Sequence, residues 1–185
     1  MARIPQITQR EQVPESAHKN FDSIVASRGR VGGPFSVLMN SPEVCDRIAH
    51  TGAYLRFETS LPAALRELSV ITAVREWECA SEWAAHVVLA RKEGASDAAI
   101  DVVGRMLPSD SLTGDEKAVV DYVRELLRTH KVSQAVFDAA YKSLGDQGIT
   151  DLTATAGYYC MISCAINALE VAPPEGAEPI PAAAS

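Results

Sequence analysis

The chain has 185 residues, enough for one domain that buries an apolar core without disulfides or a structural metal. Hydrophobic residues make up 47%, charged residues 22% and aromatics only 6%, a mix that favours helices over sheets. A formal net charge of -7 opposes non-specific attachment to nucleic acid or to an anionic membrane, since both need a basic patch; the expected partner is a small molecule or a protein.

The N-terminal stretch MARIPQITQREQ has no apolar core of signal-peptide length, and no later stretch reaches eighteen uncharged apolar residues, so a cytoplasmic, non-membrane protein is expected. Residues 1–34 read as an arm with a turn of helix near Glu15 to Arg28, closed by the glycine-rich loop RGRVGGP. Asn40-Ser41-Pro42-Glu43 then reads as a cap and first turn, opening a helix through about Phe57 with Val44, Ile48 and Leu55 inward. Thr59-Ser60-Leu61-Pro62 starts a pattern that carries Leu61, Leu65, Leu68, Thr72 and Ala73, then Trp83, Val87 and Ala90, up to Gly94. That run of about thirty residues exceeds the usual helix length of ~8–20, and predicts a hidden break near Trp77 to Cys79.

Beyond Gly94, Ser96-Asp97 caps a short helix, and Thr113 to Glu116 matches a capping box ahead of a helix with Val119, Val120, Val123, Leu126 and Leu127 on one side. Ser133 caps a helix closed by Gly145 and Gly148, and Thr150-Asp151 opens the last one, whose nearly all-apolar surface suits the core or a subunit interface. From Pro173 a low-complexity tail is expected to be loose. The division is thus an arm over 1–34, a helical domain over 35–172 and a tail over 173–185, and the fold class is an all-α compact helical bundle.

Chemistry concentrates between Glu67 and His86. On a helix Cys79, Glu82 and His86 share one stripe, and a bend would let Glu67 meet the imidazole, raising its pKa and readying it for proton exchange near neutral pH. The same residues also suit a solvated helix face with Cys79 a small core residue and His86 a satisfied interior group, and the residues alone leave both readings open. Trp83, Arg75 and Tyr158 are the candidates for lining a pocket, with Tyr159 beside the last; Arg56, Arg66 and Arg91 are the other nearby cations for a carboxylate. Cys45, Cys79, Cys160 and Cys164 show no CxxC spacing and His18, His50 and His130 no ligand spacing, so no metal or other cofactor is predicted.

The order Arg66-Glu67, eleven residues, Cys79, two residues, Glu82-Trp83, two residues, His86 resembles the signature of the carboxymuconolactone decarboxylase and alkyl-hydroperoxidase-D superfamily. Ser41-Pro42 and the segments LTGDEKAVVDYVRELL, VSQAVFDAAYKSL and GYYCMISCAINALEV extend it over roughly residues 35–170. The resemblance implies a bundle of the alkyl-hydroperoxidase-D-like type that assembles as a homo-oligomer, a trimer or hexamer. It also implies catalytic roles for Glu67, Cys79, Glu82 and His86.

Peroxidase-type relatives carry a second cysteine where this chain has Glu82, and glutamate cannot resolve a sulfenic acid as a disulfide. The expected function is therefore a cofactor-independent lyase or proton-transfer enzyme acting on a small carboxylated cyclic or unsaturated compound. A thiol peroxidase using Cys79 and a non-catalytic helical assembly protein are the alternatives.

Overall fold

Each helix starts where a proline, glycine or small polar residue breaks the preceding run and an apolar period follows. The computed structural model describes residues 2–184, among which there is helix and no strand. The backbone forms two compact units, Met1–Glu58 with Cys164–Ala172, and Thr59–Ser163 with Pro173–Ser185.

The first unit holds α1 (His18–Arg28), α2 (Pro34–Leu38) and α3 (Pro42–Phe57). The single helical turn expected near Glu15 to Arg28 is in fact eleven residues, because Phe21 and Ile24 enter a core with Ile7, Val13, Val31, Phe35 and Met39. Pro34 sits in the first turn of α2, where its fixed φ suits a helix and its missing N–H is not needed. The inner face of α3 is Cys45, Ala49, Gly52 and Leu55, whereas Val44 is 47% exposed. Of the expected face, Leu55 is buried and Ile48 packs half-buried against the core, while Val44 is turned out because the small Cys45 and Ala49 take the inner positions.

The second unit contains α4 (Ala63–Glu76), α5 (Ala80–Lys92), α6 (Asp97–Gly104), α7 (Gly114–Thr129) and most of α8 (Gln134–Leu169). The break predicted near Trp77 to Cys79 separates α4 from α5: Glu78 takes φ 49, an uncommon value for a side-chain-bearing residue, and Cys79 becomes the N-cap of α5. That turn folds α5 back on α4, with Leu68, Ile71 and Val74 buried on one helix and Trp83, Val87 and Ala90 on the other.

Two local expectations gave way to tertiary contacts. Thr113 makes no side-chain cap, and Glu116 instead accepts from the Ser96 amide at 2.7 Å and its hydroxyl at 2.6 Å, holding the start of α6. Helix α8 is kinked once, at Gly145 (φ 62, ψ −170), a conformation open to glycine and costly for other residues. Helix therefore resumes before Gly148 and Thr150-Asp151, and Asp151, inside it, accepts from the Ser60 amide and hydroxyl at 3.1 Å. By length and composition α8 meets the measure of a membrane-crossing helix. Its buried Leu152, Ala156, Tyr159 and Ile162 nevertheless pack within the protein.

The tail expected to be loose is docked. Glu178 pairs with Arg91 at 2.6 Å, the Pro181 carbonyl accepts from Arg75 at 3.3 Å, and the Ala184 amide donates to the Arg105 carbonyl at 2.9 Å. Composition missed this because the partners lie some ninety residues away in sequence.

Candidate active site

Backbone geometry explains how the acid and base residues meet. Glu67 lies one turn into α4 and His86 two turns into α5, so folding the helices back at Glu78 brings the two side chains level. Glu67 Oε2 stands 2.7 Å from His86 Nδ1, with both side chains 4% exposed. An ionised carboxylate only accepts, so His86 Nδ1 carries the proton in this bond and Nε2 is the nitrogen left to exchange. Glu82 Oε2 lies 3.5 Å from Nε2, a loose contact one turn back on α5. Arg66 Nε donates to Glu67 Oε1 at 3.3 Å, which completes a chain of alternating charge, Arg66, Glu67, His86, Glu82.

Burial alone would drive the His86 pKa down, since desolvation penalises the imidazolium. The hydrogen bonds to Glu67 and then Glu82, with their charges, outweigh that and hold it above the ordinary histidine value. The ring of Tyr159 meets the imidazole edge-on at 4.9 Å and 79°. Tyr158 stands edge-on to Tyr159 at 5.3 Å. The predicted pair of tyrosines is thus present with the nearer position held by Tyr159.

Cys79 is fully buried at the N-cap of α5. Burial pushes its thiol pKa up; the amides of Glu82 and Ser81 and the Ser163 hydroxyl favour the thiolate but only partly offset it. All four cysteines are free thiols.

Two predicted pocket residues do other work. All three guanidinium nitrogens of Arg75 are engaged, Nε on the Gly104 carbonyl at 2.7 Å, Nη2 on Pro181 and Nη1 near Glu78 at 3.5 Å. It ties α4 to α6 and the tail, with each of its nitrogens already facing an acceptor. Trp83 is fully buried rather than lining an open pocket, and a Cβ on Gly104 would come within 3.0 Å of both the indole and Pro181. Among the described residues its Nε1 has no hydrogen-bond partner.

Thr155 and Ser163 are buried polar residues on α8 that sequence reasoning missed. With Tyr159 they recur every fourth residue along α8, all buried; the Ser163 hydroxyl faces the Cys79 thiol, and among the described residues the Thr155 hydroxyl has no hydrogen-bond partner. Polar residues at that period in an otherwise apolar helix were the available signal. Among the described residues no group of three or more His, Cys, Asp or Glu side chains is arranged to hold a metal ion. A cavity of about 490 Å³ lined by Met106, Asp121, Arg124, Arg128 and Val136 contains none of the predicted site residues.

The residues that carry this geometry coincide with a known sequence family. The model of the carboxymuconolactone decarboxylase family matches residues 42–125, which include Glu67, Cys79, Glu82 and His86. No curated protein matches the chain. Among solved structures, an uncharacterized peroxidase-related protein from Ralstonia eutropha JMP134, with an alkylhydroperoxidase AhpD core, is similar at 19% identity. Its TM-score is 0.76, over 94% of this chain and 93% of that one.

An uncharacterized peroxidase-related protein from Silicibacter sp. TM1040 is similar at 17% identity and TM-score 0.69, over 94% of each chain. A protein of unknown function from Agrobacterium tumefaciens is similar at 18% identity and TM-score 0.65, over 74% of this chain and 94% of its own. At these identities the likeness establishes the fold, an all-helical AhpD-like core.

Proposed function

We propose that the protein is a proton-transfer enzyme of the decarboxylase type, a cofactor-independent lyase acting on a small carboxylated cyclic or unsaturated compound. The observation that carries this reading is the buried Glu67–His86 contact at 2.7 Å, with Glu82 on the opposite ring nitrogen. In such a reaction the bond from carbon to the carboxylate breaks and its electron pair moves into the conjugated system. Carbon dioxide leaves, and an acid returns one proton to carbon. His86 Nε2, kept protonated by the two carboxylates, is the donor; Glu67 fixes the ring and balances its charge; Glu82 takes part in reprotonation.

Thiol peroxidase chemistry at Cys79 fits less well, since the thiol is buried with a raised pKa and Glu82 stands three residues on. A homo-oligomer, trimeric or hexameric, and a cytoplasmic location complete the proposal.

The test is carbon dioxide release from a carboxymuconolactone by the whole chain, set beside peroxide consumption with a thiol reductant. His86→Gln should lose about 10²–10⁴-fold in kcat and Glu67→Gln most of that, while Cys79→Ser stays within a few-fold of wild type. Wild-type turnover in His86→Gln, or peroxide consumption abolished by Cys79→Ser, would overturn the reading.

A further inference from the structure

Four arginines flank the acid–base chain in sequence; two of them, Arg75 and Arg91, are hydrogen-bonded elsewhere, and Arg56 does not touch the chain. Arg75 is bound to the Gly104 and Pro181 carbonyls. Arg91 forks onto Glu178 at 2.6 and 2.8 Å. Arg56 stands over the Phe57 ring at 5.2 Å.

Arg66 differs from all of them. Its Nε is spent on Glu67 at 3.3 Å, but among the described residues neither Nη group has a hydrogen bond or an ion pair. Its side chain is 16% exposed where Glu67 and His86 beneath it are each 4% exposed. The guanidinium thus joins the buried chain through Nε and keeps both Nη groups uncommitted, the pair of donors that takes a carboxylate in two parallel hydrogen bonds.

We propose that Arg66 is the binding residue for a substrate carboxylate, gripping it through Nη1 and Nη2 while Nε holds Glu67 in place. This rests on the proton-transfer reading above and names the group that reading lacks, the cation for an anionic substrate. Charge balance permits it. With His86 protonated, Arg66, Glu67, His86 and Glu82 sum to zero, so an incoming carboxylate meets no net negative charge at the cluster despite the -7 of the chain.

The arrangement also sets the order of the site. The carboxylate that anchors the substrate lies on the Arg66 side of Glu67, and the proton is delivered from the His86 nitrogen on the far side of the imidazole. A substrate that reaches both groups therefore carries its carboxylate apart from the carbon that is protonated.

The experiment is a binding titration of the full chain with cis,cis-muconate, followed by NMR at the Arg66 Nε–H and His86 ring resonances. The dimethyl ester serves as the uncharged control. Muconate should shift both resonances and the ester neither. Arg66→Gln should weaken muconate binding roughly tenfold or more, and Arg66→Lys, which keeps the charge without the fork, should fall between.

Circular dichroism melts of both variants check that the fold is kept, and Arg66→Lys stands in if Arg66→Gln unfolds. Muconate binding that is unchanged in Arg66→Gln, equal for the ester, or missing from the wild type up to about 10 mM would overturn the proposal, since a charged fork contact on this scale is read well below that concentration. Because the readout is binding without turnover, muconate held by Arg66 in a chain whose turnover ignores His86 would support this site and count only against the proton-transfer reading.

Discussion

Two ion pairs in the second unit have nearly the same length and opposite surroundings. Glu67 and His86 meet at 2.7 Å with both side chains 4% exposed; Glu178 and Arg91 meet at 2.6 Å with exposures of 37% and 43%. Distance is the same, so burial decides what each contact does. In the buried pair neither charge has water to fall back on, so the imidazole's proton is tied to the carboxylates and the group is set for proton transfer. In the exposed pair solvent competes for both partners; the contact holds the Glu178 carboxyl below its ordinary range and pins the tail, but both groups keep the charge they would carry in water near neutral pH.

Removing one partner from each pair sharpens that contrast most. Glu67→Ala strands a buried histidine beside Glu82 and should destabilise the protein by about 3–5 kcal/mol in urea unfolding. Comparable losses from Glu67→Ala and Glu178→Ala would break the contrast. Next in size is Gly104→Ala, whose Cβ would stand 3.0 Å from both Trp83 and Pro181. Overpacking there should cost about 1–3 kcal/mol and shift the Trp83 emission, measured in a Trp77→Phe background.

A gentler effect follows from protonation of His86. Its folded pKa is raised above the ordinary 6.5, so its contribution to stability is full below 6.5 and is lost as pH rises through the higher folded value. The melting temperature of the wild type should therefore decline over that window more steeply than that of His86→Gln; parallel profiles would contradict it. Smallest is Glu178→Ala, worth about 0.2–1 kcal/mol and fading with salt, though protease cutting after the docked tail should become faster. Thiol exposure gives an independent check. Iodoacetamide should modify the exposed Cys164 in the native protein and leave Cys45 and Cys79 until unfolding, Cys45 having its thiol pKa pushed up to about 12.

Much of the site was readable because its spacing is local. A thirty-residue apolar run needed a break, and once Glu78 supplied it the pairing of Glu67 with His86 followed from helix geometry. What sequence reasoning lost was set by distant partners. Glu116 satisfied a capping pattern on paper, yet Ser96 twenty residues upstream offers it two donors. Asp151 looked like a helix start, but Gly145 provides the kink and frees the carboxylate to hold Ser60.

Charge pattern alone does not separate Arg75, whose guanidinium is spent on backbone carbonyls, from Arg66, whose Nη groups are uncommitted among the described residues. Tyr158 and Tyr159 were nearly indistinguishable for a similar reason: adjacent residues on a helix point about 100° apart, and only the placement of α8 selects which meets His86.

The central claim is that Glu67 keeps the His86 imidazole charged in a buried setting, and a ¹⁵N NMR titration of the His86 ring in wild type and Glu67→Gln tests it most directly. The wild-type ring should titrate above the ordinary histidine value, with Nδ1 protonated throughout. In Glu67→Gln desolvation regains the upper hand and the pKa should fall. A wild-type His86 that titrates like a free imidazole, or a pKa unmoved by Glu67→Gln, would contradict the account.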